Sequence, residues 1–423
     1  MNKAFDSLRV SSSRLRADFD ALAQFGATGD GGVHRPTFSE AHLAARAWLR
    51  EQIEKAGLEL RVDSAGNHSA FLNCAIKSPI SNPQSLTLLL GSHLDSVPYG
   101  GRFDGALGVL AALEVVRTVK EAGVPLTMNL EAIDFTDEEG TLVGFLGSAA
   151  VAGRLTAEHL RQPRGGRAAL DAGMARAGVT EQGILNAARP ARSIAGYLEL
   201  HIEQGKRLET ARTNIGIVSA IVGIASYRLT FVGRADHAGT TSMHDRRDAA
   251  QGASAFVVAI RELVIRDFPQ CVANVGNITV APGAFNIVPA SVVVSLEFRA
   301  PTADEFSRLE TALLERAKIE AERFGLGLKV DFLGKHDPTP MSFTAENAFI
   351  AACDALRLSH MPLVSGAGHD GQMLVGMCAV GMIFVPSVGG ASHSPREFTE
   401  WQDCVNGANV LLQAALQLAS HAT

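Results

Sequence analysis

Residues 86–95 read LTLLLGSHLD, a short apolar segment that runs directly into a polar cluster. A short apolar run bounded by Gly and polar residues is typical of a buried strand that ends at the edge of its sheet. The same pattern recurs at residues 130–139, 197–204 and 382–394. Ligands of open α/β sheets bind beyond the carboxyl ends of the strands, so these four strand ends together predict one polar pocket.

The segments between the strand ends indicate the fold class. Residues 105–119 have the apolar pattern of a buried helix and lie between the first strand and the second. Strands that alternate with helices favour a parallel sheet. Helical periodicity also predicts helices over residues 12–25 and 38–56. We therefore predict an α/β fold, with a mostly parallel sheet flanked by helices and a smaller inserted α+β domain.

The inserted domain is predicted from a change of pattern near residue 214. Apolar and polar residues alternate over residues 226–232 and 291–298, as in half-buried strands, and residues 246–268 and 302–324 have helical periodicity. Two strands with two long helices make a compact α+β unit.

The domain boundaries follow from the polar clusters, which stop at Gln204 and resume at His369. A chain of 423 residues also exceeds the size at which one hydrophobic core stops growing. We predict a discontinuous first domain, residues 1–213 and 333–423, and an inserted domain, residues 214–332.

Composition excludes several classes of protein. The net charge is −6 and the chain has no block of Lys or Arg, so a nucleic-acid or membrane surface has little support and a small-molecule substrate is favoured. Residues 1–9 lack the apolar core of a signal peptide, which predicts a cytoplasmic protein. The cysteines are scattered without CxxC spacing, so we expect buried thiols: Cys74, Cys271, Cys353, Cys378 and Cys404.

The first strand end offers two metal ligands. His93 and Asp104 flank the turn-forming residues 98–101, which allows their side chains to converge. A histidine nitrogen and a carboxylate able to place one oxygen on each of two cations suit zinc or a similar first-row metal. Asp95, two residues beyond His93, could accept the ring N–H that the metal does not use.

The other strand ends add an acidic pair and two histidines. Glu138 and Glu139 are adjacent carboxylates after a buried run, so one could bind a metal while the other acts as a base toward water. Taken alone, this pair also fits a solvated acidic turn. Taken alone, His201 and His393 could each also be a hydrogen-bonded histidine of the protein core. Their common position at strand ends favours the metal site.

These residues resemble the M20 metallopeptidase superfamily, and within it the hydantoinase/carbamoylase amidohydrolases of N-carbamoyl-amino acids, allantoate and ureidoglycolate. The match covers about three quarters of the chain in order. The segments that carry it are GSHLDSVP (91–98), GGRFDG (100–105), DEEG (137–140), LELHIEQG (198–205), HAGTT (237–241), RRDA (246–249), FNIVP (285–289), FVP (384–386) and SHSP (392–395).

The resemblance implies two divalent metal ions per subunit, with zinc preferred and manganese, cobalt or nickel as alternatives. One cation would be held by His93, Asp104 and His201. The other would be held by Asp104, Glu139 and His393, with Asp104 bridging. The resemblance also implies that Glu138 is the general base, with Asp95 beside it in the catalytic group. A cis peptide bond is expected directly after Asp104.

The resemblance further implies a substrate with a carboxylate and a homodimer formed through the inserted domain. His237 would stabilise the oxyanion of the transition state and, in relatives, comes from the partner subunit. Asn286 and Arg299 would bind the substrate carboxylate. Gln204 would contact the amide or ureido group, and backbone N–H groups near Gly366 and Ala367 would bind the substrate.

The expected function is cleavage of the carbamoyl C–N bond of an N-carbamoyl-L-amino acid, with release of ammonia and carbon dioxide. The alternatives are an amidohydrolase of allantoate, ureidoglycolate or N-carbamoyl-β-alanine, an aminoacylase or dipeptidase, and a binding protein without catalysis. Residues 140–147, GTLVGFLG, depart from the Arg-Phe that relatives carry near this point, so side-chain specificity stays open.

Overall fold

The computed structural model describes residues 7–73 and 86–420. In these residues the strands are β1 Glu59–Val62, β2 His68–Leu72, β3 Thr87–His93, β4 Asn129–Phe135, β5 Ile194–Ile202, β6 Ile215–Ile221, β7 Gly223–Val232, β8 Val272–Ala281, β9 Ser291–Ala300, β10 Gly327–His336, β11 Thr339–Pro340, β12 His360–Ser365 and β13 Ala379–Val385. The helices are α1 Ser12–Leu22, α2 Glu40–Lys55, α3 Ala106–Ala122, α4 Leu146–Val151, α5 Ala157–Arg161, α6 Arg167–Ala177, α7 Glu181–Leu185, α8 Arg207–Ala211, α9 Ala249–Asp267, α10 Ala303–Arg323, α11 Phe343–Leu356, α12 Gly371–Leu374 and α13 Trp401–Ser420.

The larger sheet has the strand order β1-β2-β4-β3-β5-β13-β6-β11, and β12 pairs with β6. At its centre β4, β3, β5 and β13 are neighbours and run parallel. The outer pairs β1 with β2, β2 with β4, and β13 with β6 are antiparallel. The predicted α/β fold with a mostly parallel central sheet is confirmed.

The central strands are mostly apolar because they are covered on both faces. Every residue of β3 and of β4 is buried. Helix α3 is buried along most of its length and belongs to the core with residues of α1, α11 and α13. Strands buried on both faces are mostly apolar, and the polar side chains within β4, such as Glu131 and Asp134, are themselves buried.

The chain divides into two compact units. Unit 1 comprises Met1–Ser219, Met341–Leu363 and Gly368–Thr423, and unit 2 comprises Ala220–Pro340 and Val364–Ala367. These limits lie beyond the predicted boundaries at residues 214 and 332. The difference arises because β6 pairs with β13 in the larger sheet, and because β10 continues past residue 332 to His336.

Unit 2 contains an antiparallel sheet of strand order β10-β7-β9-β8 together with helices α9 and α10. Side chains of β7, β9, α9 and α10 form its core, around Phe231, Phe256 and Phe298. The sequence analysis predicted β7 and β9 but not the edge strands β8 and β10. Most residues of β8 and β10 are exposed, and the short alternation in their sequences does not correspond to one buried face.

Among the described residues, none of the helices combines the length and apolarity needed to cross a bilayer. The cysteines in this part of the chain are free thiols, with Cys271, Cys353 and Cys404 buried and Cys378 partly buried. Cys74 and residues 1–6 lie outside the described residues.

Candidate metal centre

The strand order of unit 1 brings the predicted ligands to one edge of the sheet. Because β4, β3, β5 and β13 are adjacent and parallel, their carboxyl ends lie side by side. His93 is the last residue of β3 and His201 is the last but one of β5. The segments that follow β4 and β13 carry Glu138, Glu139 and His393. The five residues predicted as ligands therefore belong to one cluster of side chains.

Asp104 lies at the centre of this cluster, and its two carboxylate oxygens face different histidines. Oδ1 is 3.0 Å from Nε2 of His201 and 3.8 Å from Nε2 of His93. Oδ2 is 3.3 Å from Nε2 of His393. A carboxylate that offers one oxygen to each side can hold two cations at once.

Glu139 completes the second side of the cluster. Its Oε2 lies 3.7 Å from Nε2 of His393. Its Oε1 is buried and has no hydrogen-bond partner among the described residues. An unpaired buried carboxylate oxygen is costly unless a cation is bound nearby, so Glu139 has the environment of a metal ligand.

The dimensions of the cluster fit two divalent cations. Ligand atoms of His93, Asp104 and His201 lie within 4.8 Å of one another, and so do those of Asp104, Glu139 and His393. In a tetrahedral zinc site, bonds of about 2.0–2.2 Å place ligand atoms about 3.4 Å apart. The nitrogen and oxygen donors here suit zinc and similar first-row metals.

Backbone carbonyls orient two of the histidines. Nδ1 of His93 lies 2.9 Å from the carbonyl oxygen of Asp95, and Nδ1 of His201 lies 3.0 Å from that of Ile202. A carbonyl oxygen only accepts hydrogen bonds, so each Nδ1 carries the proton. In the neutral rings Nε2 then keeps its lone pair, directed toward Asp104, as metal binding requires.

The pKa values of His93 and His201 differ because only His201 lies within hydrogen-bond distance of the Asp104 carboxylate. Burial lowers the pKa of His93 to about 4, so its ring is neutral at neutral pH. Burial also acts to lower the pKa of His201, but the hydrogen bond and charge of Asp104 outweigh it and raise the pKa to about 9. A cation that binds to His201 must therefore displace a proton.

The role expected for the Asp95 side chain needs correction. The ring N–H of His93 donates to the backbone carbonyl of Asp95, and the carboxylate Oδ1 is 3.7 Å from that nitrogen. The carboxylate instead accepts the backbone N–H groups of Glu138 at 3.3 Å and Glu139 at 3.2 Å, and the hydroxyl of Thr37 at 3.0 Å. Asp95 therefore positions the acidic pair.

Glu138 lies beside the cluster and has the features of a base. Its side chain is 8 % exposed, and Oε2 is 3.6 Å from Nε2 of His93. Burial, followed by the charges of Glu139 and Asp370, raises the pKa of Glu138 well above its usual range. A carboxyl group with a raised pKa can accept and return a proton near neutral pH.

The backbone after Asp104 also differs from expectation. In the described residues the only cis peptide bond joins Ala281 and Pro282. The expectation of a cis bond after Asp104 is therefore wrong. Gly105 instead adopts a φ of +62°, and a Cβ at this position would lie 2.4 Å from the His93 ring. Only glycine lets the chain pass this close to a ligand.

Comparisons with known proteins agree with this arrangement. Residues 89–417 match the model of peptidase family M20/M25/M40. The chain belongs to this family. Members of a peptidase family hydrolyse amide bonds, and this M20 protein is accordingly a hydrolase that acts on amide bonds.

Relatives of this M20 protein match it along nearly the whole chain. It is 37 % identical over 412 residues to the N-carbamoyl-L-amino acid amidohydrolase of Geobacillus stearothermophilus, a match that covers 97 % of this chain and 99 % of the relative. It is 33 % identical to the allantoate amidohydrolase of Bacillus subtilis, covering 94 % and 95 %. The crystal structure of a hydantoinase/carbamoylase family amidase from Burkholderia multivorans has a TM-score of 0.88 at 32 % identity, covering 99 % and 100 %.

In this M20 protein Gln204 is held against the cluster by an unusual backbone. It has a φ of +58°, and its N–H donates to the Ser387 hydroxyl at 3.0 Å. Its side-chain amide donates to Oδ2 of Asp104 at 2.8 Å and to the hydroxyl of Ser392 at 3.2 Å. The structure therefore places Gln204 beside the carboxylate of Asp104, whereas its expected contact with the amide or ureido group of a substrate stays a prediction.

Unit 2 places His237 and Asn286 on adjacent turns. The backbone N–H of Ala238 donates to the carbonyl of Asn286 at 3.0 Å, and both of the predicted side chains are exposed. Nδ1 of His237 accepts the N–H groups of Gly239 at 3.1 Å and Thr240 at 3.2 Å. Nε2 of the neutral ring therefore carries the proton and can donate it in a hydrogen bond.

The remaining predicted binders of unit 2 have partners within the unit. Arg299 donates to Oε1 of Glu297 at 2.9 and 3.1 Å and to the carbonyl of Gly366 at 2.6 Å. The N–H of Ala367 donates to the hydroxyl of Ser365 at 3.2 Å. Arg299 therefore binds the carboxylate of a neighbouring side chain, and the N–H of Ala367 already has a hydrogen-bond acceptor.

The sequence analysis gave no role to two buried carboxylates beside the cluster, Glu199 and Glu397. Glu199 forms a further buried group with His201 and His369, and it accepts the Ser92 hydroxyl at 2.8 Å. Glu397, also buried, contacts the turn that carries Asp104. Glu199 lies in a quoted motif at the strand position facing the same side as His201, which was an available signal. Nothing local marks Glu397.

Proposed function

We propose that this protein is a binuclear metal-dependent amidohydrolase that cleaves the carbamoyl C–N bond of an N-carbamoyl-L-amino acid. The observation that supports this most is the position of Asp104, whose two oxygens face two separate sets of ligands with Glu138 beside them. The relative from Geobacillus stearothermophilus, which matches along almost the full length, supports the substrate class.

We propose that two divalent cations bind per subunit. His93, Asp104 and His201 would hold one, and Asp104, Glu139 and His393 the other. Zinc suits this mixture of nitrogen and oxygen donors best, with manganese, cobalt and nickel as alternatives. The cations would polarise the substrate carbonyl and lower the pKa of the attacking water.

Glu138 would move the proton. As the water oxygen attacks the carbamoyl carbon, Glu138 takes one of its protons and then delivers that proton to the departing nitrogen as the C–N bond breaks. The carbamate formed breaks down, so each substrate and one water give an amine, ammonia and carbon dioxide. The raised pKa of Glu138 supports this double role.

Substrate recognition would use the residues that unit 2 exposes. The Nε2–H of His237 would donate to the oxyanion formed at the carbonyl, because Nδ1 is already an acceptor. Arg299 and Asn286 would bind the substrate carboxylate. The guanidinium of Arg299 already binds Glu297, which supports its capacity for a carboxylate. Gln204 would contact the ureido group.

A screen for ammonia release tests this function. We expect metal-reconstituted protein to release ammonia from N-carbamoyl-L-amino acids, and excess chelator to abolish the release until Zn²⁺, Mn²⁺, Co²⁺ or Ni²⁺ is returned. The matching N-carbamoyl-D-amino acids serve as control substrates. Full activity in excess chelator would contradict metal dependence, and release of acetate or free amino acids from N-acyl substrates without ammonia would favour an aminoacylase or dipeptidase.

A second candidate substrate is allantoate, because the Bacillus subtilis relative matches over nearly its full length. Its inclusion in the same screen, with ureidoglycolate and N-carbamoyl-β-alanine, separates the candidates.

Residues 140–147 adjoin the acidic pair, and Asp137 holds this loop by accepting the N–H groups of Leu142 at 3.1 Å and Gly144 at 2.9 Å. A rigid loop at this position would select among substrate side chains.

We further propose that the protein is a homodimer that pairs through β8 of unit 2. An edge strand has unpaired N–H and C=O groups, and charged side chains on an edge discourage pairing. β10, the opposite edge, carries Lys329, Asp331 and Lys335, whereas β8 has the uncharged sequence VANVGNITVA. Its exposed Ile278 and Val280 add apolar area.

Substitution on the two edges tests this dimer. Ile278→Lys should shift the protein toward monomer in sedimentation velocity, because a charge would be buried in the new sheet. Phe332→Lys on β10 is the matched control, since Phe332 is 55 % exposed and Ile278 is 48 % exposed. A wild-type monomer, or an Ile278→Lys dimer as stable as wild type, would refute pairing through β8.

A further inference from the structure

We propose that Glu397 is a positioning residue that joins the turn carrying Asp104 to the loop carrying His393, and so sets the affinity of one metal site. This inference rests on the proposed binuclear function. Neither the predicted ligands nor the predicted substrate binders include Glu397.

The contacts of Glu397 link segments far apart in the chain. Its Oε1 accepts the backbone N–H groups of Phe103 at 2.8 Å and Asp104 at 3.0 Å. Its Oε2 accepts the hydroxyl of Ser392 at 2.8 Å. Ser392 precedes His393 directly, so one carboxylate binds the backbone at Asp104 and the side chain next to His393, and these two residues are assigned to the same cation.

The hydrogens available around Glu397 form one consistent network. Ser392 has a single hydroxyl proton, which donates to Glu397, and its oxygen can then accept from the Gln204 amide at 3.2 Å. The second N–H of that amide donates to Oδ2 of Asp104 at 2.8 Å. The network therefore connects Glu397 to Asp104 by two routes. One is the backbone N–H of Asp104, and the other runs through Ser392 and Gln204 to the carboxylate of Asp104.

Close packing leaves Glu397 little freedom. The residue is 4 % exposed. A Cβ on Gly101 would lie 2.1 Å from Oε1 of Glu397, so the turn before Asp104 runs directly against the carboxylate. Outer partners that are buried and fully bonded hold metal ligands in one orientation, and their loss typically lowers metal affinity by about 10–100-fold.

The two metal sites differ in how much they depend on Glu397. His93 and His201 are oriented by the carbonyls of Asp95 and Ile202, which Glu397 does not contact. His393 lies on a loop, and its side chain is 52 % exposed. The site of His93, Asp104 and His201 shares only Asp104 with this network, so loss of Glu397 should weaken the site of Asp104, Glu139 and His393 more than the other site.

A Co²⁺ titration of the metal-free protein tests the inference, followed by visible absorption and by metal content after dialysis. We expect wild type to bind two equivalents. We expect Glu397→Ala to bind the first with a smaller loss of affinity and the second about 10–100-fold more weakly. Glu397→Gln, which keeps an oxygen for both backbone N–H groups, should fall between the two. Excess metal should restore kcat in both variants.

Glu400→Ala is the matched control, because Glu400 lies on the same segment but is exposed. It should bind Co²⁺ as wild type does. If Glu397→Ala does not fold, the same titration is made with Glu397→Gln and Ser392→Ala. Each of these variants changes the hydrogen bond between Ser392 and Glu397. Two Co²⁺ equivalents bound with wild-type affinity by these variants, or equal weakening of both equivalents, would overturn the inference.

The titration needs no substrate, so it separates this inference from the proposed function. A wild-type protein that binds two cations but releases no ammonia would refute the function alone. A Glu397→Ala protein with unaltered cation binding and a wild type with full ammonia release would refute the inference alone.

Discussion

Replacement of Glu138 by glutamine is expected to lower kcat by about 10²–10⁴-fold, the usual contribution of a general base, while both cations stay bound. The amide has nearly the shape of the carboxyl but cannot accept a proton from water. Glu138 contacts the cluster through Nε2 of His93 at 3.6 Å and is assigned to neither set of ligands. Steady-state kinetics with metal analysis of the same sample measures both effects.

The neighbouring residue supplies the contrast. Glu139→Gln changes the adjacent carboxylate, whose Oε1 is buried without a partner among the described residues, and should lose one cation. The two variants carry the same chemical change one residue apart, so they separate proton transfer from metal binding. Normal turnover by Glu138→Gln, or metal loss from Glu138→Gln but not from Glu139→Gln, would reverse the assignments.

Asp104→Asn is expected to lose both cations and with them all measurable turnover. Both oxygens of Asp104 face histidines, at 3.0 Å for His201 and 3.3 Å for His393, whereas an amide has a single oxygen and removes the negative charge that both sites share. Loss of outer partners alone lowers metal affinity by about 10–100-fold, so loss of the bridging ligand should exceed 100-fold at each site. Metal content after dialysis against chelator-treated buffer measures the change.

His393→Ala serves as the comparison for Asp104→Asn, because His393 belongs to one ligand group only. It should lose one cation and retain the other. Circular dichroism of both variants separates metal loss from unfolding. Two cations retained by Asp104→Asn with native affinity would show that this carboxylate does not bridge.

The central strands and the cluster of candidate ligands at their ends could be predicted because both signals are local. A strand covered on both faces favours apolar residues; β3 has a run of three leucines after Thr87, and β4 is apolar enough to be recognised as buried. The polar residues that follow each run are then brought together by the parallel order of the strands. No long-range information was needed beyond that order.

Other features could not be predicted because they depend on contacts between distant segments. β8 and β10 pair at sheet edges, and most of their residues are exposed, so no buried face marks them as it marks β7 and β9. The choice between the carboxylate and the carbonyl of Asp95 as partner of His93 depends on the course of the backbone after β3. Glu397 contacts residues almost three hundred positions earlier, so nothing in its neighbourhood reveals its partners.

The order of the strands also has a consequence during synthesis on the ribosome. β5 pairs with β13, which is made only after the whole of unit 2. At about 5–20 residues per second, roughly 10–40 s separate the appearance of His201 from that of His393. During that time the nascent chain has one complete ligand set, and β5 has an unpaired edge. An unpaired edge can pair with other chains, so chaperones would protect the chain from aggregation in this period.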